Sequence, residues 1–150
     1  MKRNSLAYLV RLCLPYTKGV SRLRDYQREK NNQWALPHNL YRQTLWLIRD
    51  YVRLKEDYTD TLEESRAPSG GGRDSKPGDP TGALACRLET MHDRIRAVER
   101  AREEIPEEYF DGIWNQIVHN RRYPDDADRH TYGRWKARFI WLVAYYLRWI

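Results

Sequence analysis

Cysteine is scarce in this sequence, and the two cysteines present cannot form a framework of disulfides. Cys13 and Cys86 stand far apart and belong to no Cys-x-x-Cys pair. The four histidines, His38, His92, His119 and His130, also lack the His-Glu-x-x-His spacing of a zinc enzyme. These absences exclude a disulfide-rich secreted domain and a structural zinc site, and they fit a reducing bacterial cytoplasm.

Long apolar runs are also missing. Residues 6–14 form a short apolar stretch that is interrupted by Arg11. No small-residue cleavage site follows this stretch. We therefore expect neither a secretory signal nor a membrane span. The chain of 150 residues carries a net charge of +6, and a basic balance favours a polyanionic partner, nucleic acid before an anionic membrane surface. We expect a cytoplasmic protein without a membrane partner.

Acidic residues are absent from residues 129–150, although they are common elsewhere. This stretch follows Asp128, a favoured N-cap residue, and we expect its carboxylate to accept a hydrogen bond from the N–H of Thr131. The sequence predicts a helix that runs on to Ile150. Apolar residues at three- and four-residue spacing predict its buried face: Tyr132, Trp135, Phe139, Leu142, Val143, Tyr146, Leu147 and Ile150. The opposite, basic face suits contact with phosphates, and a solvated basic face is the alternative.

A second helix is predicted immediately upstream. Pro106 suits the first helical position, Glu107 and Glu108 suit the positive end of the helix dipole, and Asn120 marks the end. Its predicted apolar face consists of Tyr109, Phe110, Ile113, Trp114, Ile117 and Val118. Residues 123–127 leave room for a bend and about one helical turn. Residues 105–150 therefore predict a helix-turn-helix-like unit with a shortened middle helix.

Two longer helices are predicted over residues 36–104. The first starts at Pro37, runs to about Glu64, and carries a heptad seam of Leu40, Thr44, Leu47, Tyr51, Leu54 and Tyr58. The second restarts at Asp79-Pro80 and carries Leu84, Leu88, Met91, Ile95 and Val98. Residues 67–78, rich in glycine and proline, predict a flexible loop. The simplest arrangement is that the two helices fold back on each other as an antiparallel hairpin. The alternative is that they pair with the helices of a second subunit.

Residues 1–35 predict a short helix at Ser5–Leu14 and then a basic segment. That segment, residues 18–30, is interpreted either as an arm that contacts phosphates or as a solvated stretch. The run Asn31-Asn32-Gln33 marks a break before the first long helix. With the helices above, these elements predict an all-α fold.

Catalytic chemistry is not indicated by any group of residues. The acidic pairs Glu103-Glu104, Glu107-Glu108 and Asp125-Asp126 are explained as exposed helix ends or turns. The glycine-rich loop near Lys76 lacks the spacing of a phosphate-binding loop. We therefore expect no catalytic residue, metal, cofactor or small-molecule substrate.

Several motifs resemble a known family. The runs Ile105-Pro106-Glu107-Glu108-Tyr109, Tyr123-Pro124-Asp125-Asp126-Ala127 and 131–139 are similar to those of the RinA-type phage transcriptional regulators of Gram-positive bacteria and their prophages. Leu36-Pro37, residues 43–51 and Gly78-Asp79-Pro80-Thr81 extend the resemblance to most of residues 36–150. The tail also resembles region four of sigma factors. The resemblance implies an activator of phage late or packaging genes that binds promoter DNA.

The sequence is therefore interpreted as an all-α, sequence-specific DNA-binding transcription regulator. Recognition helices read bases with their N-terminal residues, which assigns base contacts to Arg129, His130 and Arg134. Phosphate contacts are assigned to Lys136, Arg138, Arg121 and Arg122. This interpretation implies double-stranded promoter DNA as the partner. Host RNA polymerase and a second copy of the chain are further candidates.

Two rival functions remain open. One is a phage DNA-packaging component similar to a small terminase subunit, which would assemble into a ring. The other is an adaptor with little DNA specificity that binds RNA polymerase through Trp141, Tyr145 and Trp149 on the outer face of the last helix. Those three side chains need cover, which we expect either from the hairpin or from a second copy.

Overall fold

The computed structural model describes residues 26–66 and 80–150, and over these residues the chain is helical with no strand, which confirms the all-α prediction. The helices are α1 His38–Arg49, α2 Tyr51–Arg66, α3 Pro80–Glu103, α4 Glu107–His119 and α5 Arg129–Tyr146. Across these two ranges, no helix combines the length and the apolar character needed to cross a membrane. The predicted helix over residues 5–14, most of the basic segment 18–30 and the loop 67–78 lie outside the described residues.

α1 and α2 cover the stretch predicted as one long helix, but Asp50 separates them. Asp50 keeps a near-helical backbone at φ −85° and ψ −3°, and its N–H donates to the carbonyl of Trp46 at 3.0 Å. Its carboxylate also pairs with Arg53. Aspartate is a weak former of helix interiors because its short side chain competes for local hydrogen bonds. The predicted extent was nearly right, and the predicted continuity was wrong.

α2 and α3 pack side by side in opposite directions. The hydroxyl of Tyr51 donates to Glu99 Oε1 at 2.9 Å, and the ring of Tyr58 stacks on His92 with centroids 5.8 Å apart. Later residues of α2 therefore meet earlier residues of α3, an arrangement compatible with the predicted hairpin. The buried residues between them are Leu54, Met91 and Ile95. Residues 51–66 and 80–97 are called the arm below, and residues 26–50 and 98–150 the body.

α5 is the central element of the body, because it packs against α1, α3 and α4. The predicted inward positions Tyr132, Phe139, Leu142 and Val143 are buried, as expected from their spacing. The burial extends further around the helix and includes Ile140 and Ala144. The remaining members of this core are Leu36, Tyr41, Leu45, Ile48, Val98, Ala101, Ile105, Phe110, Ile113 and Ile117. Three neighbouring helices, rather than one, explain the wider buried surface of α5.

α5 ends at Tyr146, so the prediction that it runs to Ile150 was wrong. Arg148 adopts a left-handed backbone with φ 58°. Its N–H donates to Tyr145 O at 2.9 Å, and the N–H of Trp149 donates to Ala144 O at 3.0 Å. This is the Schellman arrangement, which satisfies the last helical carbonyls. The reversal takes Ile150 off the helix face and leaves it 47% exposed.

Candidate nucleic-acid interface

The connection between α4 and α5 is held by a cluster of tyrosines. α4 begins at Glu107, with Pro106 as its N-cap rather than its first residue, and it ends at His119, with Asn120 as its C-cap at φ 60°. The buried ring of Tyr132 stacks on Tyr123 with centroids 4.9 Å apart, and its hydroxyl donates to Asp126 Oδ1 at 2.7 Å. Residues 120–128 contain no helix, only a turn at Asp125 and Asp126 and a bend at Ala127. The shortened middle helix predicted at residues 123–127 is therefore present only as a turn and a bend, which is compatible with the helix-turn-helix-like prediction.

Gly112 on α4 lets the two helices approach closely. A Cβ atom on Gly112 would lie 2.6 Å from Cε1 of Tyr132 and 2.9 Å from Cδ of Pro124. Both distances are shorter than carbon atoms tolerate in packed interiors. The absence of a side chain at this position therefore sets the distance between α4, the connection and the first turns of α5.

Asp128 caps α5 as predicted, although its partner differs from the predicted one. The carboxylate accepts a hydrogen bond from the N–H of His130 at 3.2 Å. The N–H of Thr131 donates instead to the backbone carbonyl of Asp128 at 2.9 Å. An N-cap side chain can reach either the second or the third helical N–H, and the spacing alone does not decide between them.

Two tyrosines, Tyr132 in the first turn of α5 and Tyr123 in the connection before it, have raised pKa values. Burial raises the pKa of Tyr123 to about 12, against the opposing effect of the Arg129 charge. Burial and the hydrogen bond to Asp126 raise the pKa of Tyr132 to about 12. An unperturbed tyrosine is also neutral near pH 7, so these shifts affect the protein only in alkaline solution.

A non-helical segment, residues 26–36, lies beside the start of α5 and is called the strap. The strap is closed at its base by Gln27, whose side-chain oxygen accepts from the N–H of Leu36 at 3.0 Å and whose amide nitrogen donates to the carbonyl of Leu36. Asn31 turns the chain with φ 60°. Nη1 of Arg28 lies 3.4 Å from Nδ1 of His130. The strap therefore places residues from the predicted basic segment against the candidate recognition helix.

A groove of about 580 Å³ lies between the strap and α5. It brings together four residues predicted to bind DNA, Arg129, His130, Arg134 and Lys136, and adds Arg28 and Lys30 from the strap. Of the described residues that line it, none is aspartate or glutamate. We call this cavity the basic groove. The only sequence signal for the strap's contribution was the excess of lysine and arginine over residues 18–30.

Arg121 and Arg122 lie next to the basic groove rather than inside it. They are exposed and line a neighbouring cavity of about 720 Å³, which shares Tyr123 and Arg129 with the groove. Asp125 also lines this second cavity. The two arginines are therefore placed to extend the positive surface, in a setting of mixed charge.

Arg138 differs from the other predicted phosphate contacts. Its guanidinium carbon lies 5.6 Å from the ring centre of Trp34 and 5.4 Å from that of Trp135. Its Nη2 is 3.4 Å from a carboxylate oxygen of Glu104. Arginine above an indole face gains cation–π stabilisation. The structure therefore places Arg138 among aromatic rings and outside the lining of the basic groove.

Trp34 of the strap also covers part of the aromatic outer face of α5. Its ring centre is 5.0 Å from that of Trp141, which stacks on Tyr145 at 5.3 Å. Tyr145 and Trp149 remain 51% and 39% exposed. The expected cover for Trp141 thus comes from the strap, a source that the sequence did not reveal.

No metal centre accompanies this surface: within residues 26–66 and 80–150, no group of three or more histidine, cysteine, aspartate or glutamate side chains could hold a metal ion. Comparison of the chain with protein-family models, with curated proteins and with solved structures finds no match. The resemblance to RinA-type regulators therefore rests on the sequence motifs alone.

Proposed function

We propose that this protein binds double-stranded DNA through the basic groove and the first turns of α5. The observation that carries the proposal is the groove itself, in which cations from two distant parts of the chain meet without a carboxylate in the lining. A surface on which several cations lie close together attracts phosphates. Each cation that neutralises a phosphate of DNA releases a condensed counterion. Double-stranded DNA is the polyanion that a helix with exposed, basic first turns suits best.

Base contacts are assigned to the first turns of α5. Arg129, His130 and Arg134 are exposed there, and an arginine can donate two hydrogen bonds to the acceptor edge of a guanine. Phosphate contacts are assigned to Lys136 together with Arg28 and Lys30, which flank the same groove. Arg121 and Arg122 extend the phosphate-binding surface. Arg138 is left out of this set because its guanidinium is packed among tryptophans.

The biological role in this proposal is transcriptional regulation, as an activator of phage or prophage late or packaging genes in the cytoplasm of a bacterial host. Two features support it: the sequence motifs that resemble those of RinA-type regulators, and two packed helices, α4 and α5, of which the second carries the basic first turns. Host RNA polymerase and a second copy of the chain are the further partners that such a regulator would engage.

The first experiment is selection of bound sequences from a random duplex library, followed by affinity measurements on the selected and a scrambled duplex across a salt series. We expect a preference for the selected sequence that persists at physiological salt. With Arg28, Lys30, Lys136, Arg121 and Arg122 on phosphates, the logarithm of affinity should fall with the logarithm of salt at a slope of roughly −4 to −5. Steep salt loss without sequence preference would contradict specific recognition.

Two substitutions separate the assigned roles. Arg134→Ala should weaken binding to the selected duplex by about 1–3 kcal/mol and relax its sequence preference, whereas Lys136→Ala should weaken both duplexes alike and flatten the salt slope by about one. Arg87→Ala removes the same charge from an exposed position of the arm and should leave both affinities unchanged. Equal loss on both duplexes for Arg134→Ala would contradict its assignment to a base.

A second candidate function is an adaptor that binds a protein partner, and the exposed apolar residues at and beyond the end of α5 favour it. Tyr145, Trp149 and Ile150 are 51%, 39% and 47% exposed, and exposed apolar clusters commonly mark interaction sites. In this case RNA polymerase would bind the chain in the absence of DNA, and Tyr145→Ala would weaken that complex. The packaging alternative would give a ring-sized mass in solution by light scattering.

A further inference from the structure

Four acidic residues share the outer face of α2, opposite the side that packs on α3. They recur at three- and four-residue spacing, so they follow one line along the helix, and all are exposed: Glu56, Asp60, Glu63 and Glu64. We call them the acidic stripe. Arg53 and Lys55 on the same helix form ion pairs with other carboxylates. No acid of the stripe forms an ion pair with a described residue.

The acidic stripe opposes the stability of the helix that carries it. Like charges four residues apart on a helix repel each other, as Glu56 and Asp60 do, and Asp60 and Glu64. Glu63 and Glu64 also lie in the last turn of α2, where the negative end of the helix dipole disfavours an anion. A cationic surface placed against the stripe would relieve both effects.

The basic groove is complementary to the acidic stripe in charge and in length. Cations from the strap and from α5 line the groove, and no described residue of the lining is acidic, so like charges repel one another across it. α5 lines the groove from Arg129 to Ala137, a helical span of about 12 Å. The acidic stripe spans about the same 12 Å from Glu56 to Glu64.

We propose that, in the absence of DNA, the acidic stripe of one copy of the chain docks in the basic groove of a second copy. The four acids are exposed, so the groove of their own chain does not hold them. Arginine binds a carboxylate through two parallel hydrogen bonds, which suits Arg28, Arg129 and Arg134 of the groove to this contact.

The proposal takes its site from the proposed function and assigns that site a second occupant. Both occupants need the same cations, so DNA would displace the acidic stripe. The protein would then exchange a contact with itself for a contact with DNA, and its affinity for DNA would depend on its own concentration.

Sedimentation velocity of the full chain without DNA is the first measurement. The chain should self-associate at about 50 mM salt and become a monomer at about 500 mM, because exposed charges are screened at high ionic strength. A chain that stays monomeric at both salt concentrations would overturn the inference. Self-association that does not respond to salt would also overturn it.

Two charge-reversed variants identify the surfaces in contact. Asp60→Lys with Glu64→Lys reverses the stripe, and Lys30→Glu with Arg134→Glu reverses the groove. All four positions are exposed, so the circular dichroism of the fold should be retained. Each variant alone should self-associate about tenfold or more weakly, because like charges then face each other. An equimolar mixture should associate again, since each surface then meets its complement.

Glu89→Lys with Asp93→Lys is the matched control. It reverses two exposed acids at the same spacing on α3, outside the stripe, and should leave self-association unchanged. Equal loss in this control and in the stripe variant would indicate a general effect of charge and overturn the inference. Continued association of the groove variant, or a mixture that stays monomeric, would overturn it as well.

Failure of this inference is distinguishable from failure of the proposed function. A chain that binds duplex DNA but does not self-associate would overturn the inference and leave DNA binding in place, and a chain that self-associates without binding duplex would do the reverse. A carbodiimide should also join Lys30 of one copy to the acidic stripe of another. Excess duplex should suppress this cross-link, and its persistence on bound DNA would overturn the shared use of the groove.

Discussion

The arm and the body of this protein are held together in different ways. The body has sixteen buried core residues, with α5 packed on three helices. The arm has a smaller cluster of three, Leu54, Met91 and Ile95, and Ala97 is buried as well. Around that small core lie exposed ion pairs such as Arg53 with Asp57, which contribute little to stability. The basic groove is lined by residues of the body.

The largest effect is expected when a buried isoleucine is replaced by alanine, and the loss of stability should differ between the body and the arm. Ile113→Ala in the body, at 0% exposure, should lower the free energy of unfolding by about 4 kcal/mol, and Ile95→Ala in the arm, at 5% exposure, by about 2 kcal/mol. The reason is that the arm can relax around a cavity, whereas the body is enclosed. Urea denaturation followed by circular dichroism measures both. Equal losses would remove the distinction between the two regions.

The second prediction concerns the close approach of α4 and α5. Gly112→Ala should destabilise the protein by roughly 1–3 kcal/mol, because the new Cβ would overlap Tyr132 and Pro124. Gly133→Ala is the matched control, since nothing lies within 4 Å of its new Cβ. Inside α5 that alanine should stabilise by about 0.5–1 kcal/mol. A stabilising effect at Gly112 would contradict the close contact.

The third prediction tests the body at alkaline pH. The pKa of Tyr123 is raised from 10.0 to about 12, so the folded state favours the neutral phenol. The contribution of Tyr123 to the free energy of unfolding is fully present below pH 10 and is lost as pH rises through 12. This loss is on the order of 2 kcal/mol. Tyr123→Phe should lose less stability than the parent between pH 9 and pH 11. Parallel losses in urea titrations would contradict the assignment.

The smallest effect is expected at an ion pair that joins the arm to the body. Lys55 Nζ lies 3.0 Å from Glu99 Oε1, with both side chains substantially exposed, and hydrogen bonding to Lys55 lowers the pKa of Glu99. The contribution is therefore present above the ordinary carboxyl pKa of 4.5 and is lost as pH falls through the lowered value. Glu99→Gln should cost about 0.2–1 kcal/mol at neutral pH and less in acid. Glu89→Gln, on an exposed part of α3, is the control.

Helical periodicity predicted most of the structural features that depend on residues close together in the sequence. Met91, Ile95 and Val98 are buried at the spacing expected of a helix face, because one buried position fixes the next along the same face. The N-cap of α5 at Asp128 and the C-cap of α4 at Asn120 were also predictable from the sequence. Each depends on a few consecutive residues and their backbone preferences.

The features that sequence did not reveal depend on contacts between distant segments. The basic groove forms because Arg28 meets His130, across 102 positions of the chain, and no local pattern encodes that meeting. Arg138 was assigned to phosphate by its charge, yet Trp34 from the strap determines its surroundings. The end of α5 at Tyr146 also escaped prediction, because an arginine, Arg148, takes the left-handed position that glycine usually marks.

The two hydrogen bonds between Gln27 and Leu36 have a consequence for the energetics of binding. They tie the strap into a closed loop before any ligand arrives, so Arg28 and Lys30 start from a restricted set of positions. Ordering a flexible side chain or loop on association costs about 0.5–1.5 kcal/mol for each long side chain. In the proposed complex with DNA, an uncharged, buried glutamine would therefore have met part of that entropic cost during folding.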